Sequence, residues 1–115
     1  MKDNPLLKNA EQLAVDIEAL CKTLERKDNS NAIFQIRKSS SSVFANINEA
    51  IYGNSKADFI SKLHISLKET GESIYWLTLL KRTNLIEYNF DELLSQAEEI
   101  KRMLIASLNT AKENK

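Results

Sequence analysis

The run SKADFISKLHISLKETGESIYWLTLLKRT, residues 55–83, contains no proline and a single glycine, Gly71. Phe59, Ile60, Leu63, Leu67, Thr70, Ile74 and Leu77 mark its main face at helical spacing. Steps of three and four are the period of an α-helix and put these residues on one side of it. Ser55 and Asp58 occupy the N-cap and N3 positions of a capping box, so the helix is expected to span residues 55–83. A second apolar set, Ile65, Trp76, Leu79 and Leu80, lies behind the first, with Glu72 projecting near it. A helix that is apolar on two sides is buried on both, and a small four-helix bundle covers only one of them. The second set therefore predicts a partner surface, with Trp76 as its anchor and Glu72 as a partly buried carboxylate. Gly71 costs about 1 kcal/mol relative to alanine inside a helix, a cost that close packing against a neighbouring helix would explain.

Three further segments repeat the same period. Asn4-Pro5 reads as an N-cap and first helical residue, because the N–H that proline lacks is unpaired there anyway. Leu6, Ala10, Leu13, Ile17, Leu20 and Leu24 then form a stripe, widened by Leu7, Ala14 and Cys21, in a helix expected over residues 5–26 and ended by the charged stretch 25–30. Ile33, Ile36, Ser40, Val43, Ile47 and Ile51 mark a second helix over 31–52. The four serines at 39–42 are poor helix formers and suggest a loop, but the apolar phase runs through them unbroken. Ser39 and Ser40 are small enough for close helix approach, and Gly53 fits a left-handed C′ position. Phe34 and Tyr52 point away from the stripe, either as ordinary surface aromatics or as oligomer contacts. The last helix is expected over 89–111, with Asn89 and Glu92 as a capping box and Tyr88 and Leu93 as a hydrophobic staple. Its stripe is Phe90, Leu93, Leu94, Ala97, Ile100, Leu104, Leu108 and Ala111. Short connections force each helix to run against its predecessor. The expected fold is an all-α, antiparallel up-down-up-down four-helix bundle, occupying residues 1–115 as a single domain.

Composition agrees with this reading and removes several functions. Two glycines and one proline in 115 residues suit long helices and not a many-stranded sheet. Sixteen basic and sixteen acidic side chains give a net charge of zero, so overall charge gives no support to non-specific nucleic-acid binding. Cys21 is the only cysteine and His64 the only histidine. A disulfide is excluded within the chain, a cysteine-based zinc site lacks ligands, and triad chemistry lacks material. Cys21 lies in the apolar stripe and reads as core, and His64 as a surface or hydrogen-bonded residue. Glu69 and Glu72, at i and i+3, would chelate a metal only weakly, and no helix carries the Glu-x-x-His motif of di-iron bundles. Phosphate-loop, HExxH and calcium-loop motifs do not occur. The chain is read as non-enzymatic, with no cofactor and no metal site. No signal-peptide core or membrane-length apolar run is found, so the expected compartment is the cytoplasm.

The segment QIRKSSSSVFANINEAIYGNSKADFI, residues 35–60, adds a likeness. Its Ile36-Arg37-Lys38, Ser42-Val43, Asn46-Ile47, Glu49, Tyr52 and Asp58-Phe59, followed by Leu63, Leu67 and Glu72, closely resemble the pattern of the four-helix-bundle proteins encoded in intervening sequences of bacterial 23S ribosomal RNA, often labelled "ribosomal protein S23". Ala50 departs from that pattern at a usual glycine, Phe44 at a frequent proline and Lys68-Glu69 at a common Gly-Ser, while Asn84-Leu85 stands where Gly-Tyr is frequent. The resemblance implies a homo-oligomer, a pentamer. A distantly similar, more basic branch, the accessory protein of diversity-generating retroelements, binds nucleic acid and the reverse transcriptase. The neutral charge of this chain sets it apart from that branch.

Beside the resemblance, Arg37, Lys38, Glu49 and Glu72 are expected to form a buried or interfacial ion network, with Asn46 bonding backbone at a helix crossing. Arg37 and Lys38 are also the candidate contacts to RNA or DNA. The function expected is a self-associating scaffold or adaptor with a possible protein partner. The alternative is a nucleic-acid-binding or ribonucleoprotein accessory protein, and a remote third reading is a carboxylate metal-binding bundle.

Overall fold

The computed structural model describes residues 4–25, 30–84 and 86–113. Four helices account for almost all of them: α1 (Pro5–Leu24), α2 (Ser30–Ile51), α3 (Lys56–Thr83) and α4 (Phe90–Glu113). The charged residues 26–29, expected to close the first helix, lie outside the described residues, as do Leu85 and residues 114–115. Each helix packs on its chain neighbours and α4 returns to α1, so the four form a square bundle in up-down-up-down order. The bundle measures 49 × 24 × 20 Å. At about 1.5 Å rise per residue, its length is close to that of α3 alone.

Local signals start the first and third helices. Asn4 Oδ1 accepts the Leu7 N–H at 2.9 Å, with Pro5 at the first helical position. Ser55 Oγ accepts the Asp58 N–H at 3.0 Å. These bonds satisfy donors that the first turn cannot pair internally. At α4 the expected capping box is not formed, since neither Asn89 nor Glu92 makes a side-chain bond to the first turn among the described residues. Tyr88 instead lays its ring on Phe90, with centroids 5.0 Å apart. Gly53 is not left-handed, because no glycine has a positive φ. A Cβ there would meet the Asp58 carboxylate, a side-chain end free to swing away, and would sit 3.3 Å from the Glu49 and Ala50 carbonyl oxygens, a tight fit. The left-handed residue is Asn84 (φ 53°, ψ 34°), the C-cap of α3. Asparagine tolerates that conformation better than other residues carrying a Cβ.

Leu13, Ile17, Leu20, Leu24, Ile36, Val43, Ile47, Leu63, Leu77, Ile100 and Leu104 form the centre of the core, essentially inaccessible to water. Cys21 lies among them, and burial pushes its thiol pKa up to about 11. The core-facing line of α3 is more polar than its sequence suggests. Leu63, Ser66, Thr70, Ser73, Leu77 and Leu80 are buried, whereas Phe59, Ile60, Leu67 and Ile74 are only partly so. The middle of that line meets Ser39 and Val43 of α2. Ser66 Oγ donates to the Val43 carbonyl at 3.0 Å, and Ser73 Oγ to Ser39 Oγ at 2.9 Å. Small hydroxyl side chains let the two backbones come close while keeping every buried oxygen bonded.

Candidate interaction surface

The second apolar set of α3 divides in the structure. Leu80 is 4% exposed and belongs to the bundle's own core, so it leaves the outward surface. Trp76 is partly buried and packs against that core. Ile65 and Leu79 stay exposed, as does Tyr75, which the sequence pattern had not singled out. Tyr75 sets its ring edge-on to Trp76, with centroids 5.1 Å apart and planes 83° apart. The indole Nε1 is shielded from solvent and has no acceptor. A buried N–H without an acceptor costs roughly 1–3 kcal/mol. Gly71 lies exposed on the outer side of the same helix, and a Cβ placed on it meets nothing. The close packing expected of Gly71 is therefore not against any helix of this bundle.

The expected polar network is not assembled. Arg37 reaches α1: Nε donates to Glu18 Oε2 at 2.9 Å, and Nη2 donates to Glu18 Oε1 at 2.7 Å and to Glu25 Oε1 at 2.9 Å. The guanidinium fork pairs bidentately with one carboxylate. It holds the Glu18 carboxyl below the ordinary carboxylate value. Glu49 lies 3.6 Å from Lys62 across the α2–α3 seam. Asn46 Nδ2 bonds within its own helix, to the Ser42 carbonyl and hydroxyl at 2.9 and 3.0 Å. Lys38 is exposed and Glu72 half-buried, each without an ion pair among the described residues. Sequence spacing finds contacts along one helix, but Glu18 and Glu25 become partners of Arg37 only through the pairing of α1 with α2.

Phe34 and Tyr52 are 62% and 74% exposed on α2, outward as their phase requires. Among the described residues no cluster of three His, Cys, Asp or Glu is arranged to hold a metal ion. No helix among them is long and apolar enough to cross a membrane.

A four-helix bundle of zero net charge with a partly buried tryptophan fits many proteins, and the comparison with known sequences narrows it. The pattern of the 23S rRNA-intervening sequence proteins matches residues 2–106. The chain belongs to that family. Among solved structures, it is similar to a protein of unknown function from the S23 ribosomal protein family of Bacteroides thetaiotaomicron VPI-5482, solved at 1.70 Å resolution. The two share 40% identity over 95% of this chain and 99% of the other, with a TM-score of 0.86. No curated protein matches. The chain is a helical bundle of the 23S rRNA-intervening sequence family.

Proposed function

We propose that this protein is a self-associating scaffold, whose copies meet across the outer face of α3 around Trp76, Ile65, Leu79 and Tyr75. The observation that carries the reading is the group of exposed apolar side chains on α3, Ile65, Leu79 and Tyr75, with Tyr75 packed on Trp76. A facing subunit that brings apolar side chains would cover Ile65, Leu79 and Tyr75 together. Tryptophan and tyrosine are favoured anchors of such contacts. Gly71, open to solvent on this helix, leaves room for a neighbour to come close. A subunit number of five is carried over from the family resemblance, whereas the adaptor-like role rests on the second apolar face of α3 and the cytoplasm on the single unpaired cysteine.

Sedimentation velocity at micromolar concentration tests this. The wild-type chain is expected to sediment as an oligomer, and Leu79→Glu to sediment as a folded monomer. A wild-type monomer across that range would overturn the proposal. The nucleic-acid alternative, including any kinship with the retroelement accessory proteins, has less support, because the Arg37 guanidinium is already held by two carboxylates. Salt-dependent RNA binding lost in Lys38→Glu would revive it.

A further inference from the structure

The outward line of α2 differs from the rest of the surface. Phe34, Lys38, Ser41, Ala45, Asn48 and Tyr52 recur at helical spacing, and all six are exposed. Lys38 is the one charged residue among them. The whole helix carries three charged side chains, Arg37, Lys38 and Glu49, in a chain that is 28% charged. Arg37 is turned to Glu18 and Glu25 of α1, and Glu49 to Lys62 of α3. A line poor in charge that presents Phe34 and Tyr52 has the composition of the centre of a protein–protein contact, not of a solvated face.

The bundle also fixes which residues lie at the same height. Ser39 meets Ser73, Val43 meets Ser66 and Glu49 meets Lys62. Because α2 and α3 run in opposite directions, continuing that ladder sets Phe34 level with Trp76, Lys38 with Glu72 and Ala45 with Ile65, to within about one residue. Copies related by a symmetry axis along the bundle are not shifted along it. The same levels then meet between copies, with α2 of one antiparallel to α3 of the next. An aromatic ring faces an aromatic ring, an ammonium faces a carboxylate, and a small side chain faces the exposed Ile65. Neither Lys38 nor Glu72 has an ion pair within its own chain among the described residues. Packing α3 on α3 is less favourable. An antiparallel contact that sets Ile65 on Leu79 sets Glu72 on Glu72, a parallel contact in register does the same, and facing like charges oppose association.

We propose that the outward line of α2 in one copy is the surface that covers the α3 face of the next, with Phe34 against Trp76, Lys38 paired with Glu72 and Ala45 over Ile65. This rests on the self-association proposed above and gives it a second surface and a register.

Sedimentation velocity on charge-reversed full-length chains tests the pairing, with circular dichroism to show that the helices are kept. Lys38→Glu and Glu72→Lys each set like charges against one another, and each alone is expected to weaken assembly about tenfold. An equimolar mixture of the two restores opposite charges between unlike chains and is expected to re-form the wild-type species. Phe34→Gln, at an exposed position, should weaken assembly by a similar factor, whereas Lys101→Glu, exposed on α4, should leave it unchanged. A wild-type monomer would overturn the self-association and this pairing together. A wild-type oligomer that withstands Lys38→Glu and Phe34→Gln, or a mixture no more assembled than its two components, would overturn the pairing and leave the self-association standing.

Discussion

The α2–α3 and α1–α4 seams solve the same packing problem with opposite materials. Between α2 and α3 the bridging side chains are Ser39, Ser66 and Ser73, with Thr70 one turn on from Ser66, all buried. They bond across the seam or back to their own helix, as Thr70 Oγ1 does to the Ser66 carbonyl at 2.8 Å. Between α1 and α4 the bridging groups are long: Gln12, Asp16 and Gln96, with Asn9 Nδ2 reaching Met103 Sδ at 3.4 Å. Short side chains bring backbones together and leave no space. Long ones hold helices apart and leave clefts along Gln96, whose Oε1 is unpaired. The tight seam should tolerate almost no added volume, and the loose one should tolerate a good deal.

The largest effect is therefore expected from filling the tight seam. Ser66→Leu adds two heavy atoms beside the Val43 carbonyl and removes the hydroxyl that bonds it. Overpacking costs about 1–3 kcal/mol, and the lost buried hydrogen bond adds about 1 kcal/mol. Urea unfolding should show a drop of roughly 3 kcal/mol at an unchanged m-value. A drop below about 0.5 kcal/mol would mean that the helices separate easily and that the seam is not tight.

Ser73→Ala keeps the volume and removes only the bond to Ser39 Oγ. Ser39 still bonds the Ile36 carbonyl at 3.3 Å, so the remaining hydroxyl is not stranded. The expected loss is about 1 kcal/mol. A double-mutant cycle with Ser39→Ala should recover most of it as coupling between the two sites.

The contrast between the seams also explains what the sequence made legible. The four helices were readable because the apolar period ran unbroken through each, and at two of them the cap agreed as well: Asn4 and Ser55 each accept a first-turn N–H, while the Asn89–Glu92 box and the left-handed Gly53 did not form. The serine run at 39–42 was readable as helix because the apolar phase continued through it. What stayed hidden depended on pairing between helices. Ser66 and Ser73 look like polar interruptions of α3 until α2 presents Ser39 and the Val43 carbonyl to them. Leu80 and Leu79 are adjacent in sequence, and only the position of the bundle decides that one is core and the other surface. Glu18 and Glu25 gave no signal as partners of Arg37, because a charge on an exposed helical face is ordinary. The α1–α4 clefts were invisible for the same reason, since their lining comes from separate helices far apart in the chain.

On the loose seam, Gln96→Leu should cost little. It removes the unpaired Oε1, adds apolar contact, and deprives Asp16 of one of two amide donors. These terms oppose one another, and a net change within about 0.5 kcal/mol is expected by urea unfolding. A loss near that of Ser66→Leu would show that the amide bridge is as demanding as the serine seam and would collapse the contrast drawn between them.

The α1–α2 seam, closed by Arg37 on Glu18 and Glu25, gives the smallest effect and a distinctive one. The Glu18 carboxyl is held below the ordinary value, chiefly by its hydrogen bonds from Arg37. A carboxylate whose folded pKa is depressed stabilises the fold above the unfolded pKa, near the ordinary 4.5, and loses that contribution as pH falls through the folded value. Both partners are substantially exposed, at 33% and 49% of their side-chain surface, so solvent screens the pair. Arg37→Met should therefore change neutral-pH stability little, while flattening the decline in urea midpoint on the acid side of the ordinary carboxylate pKa. An acid-side slope identical to wild type would mean that the guanidinium does not hold Glu18 in solution. The α1–α2 contact would then rest on buried apolar side chains, Cys21, Leu24, Ile33 and Ile36 among them.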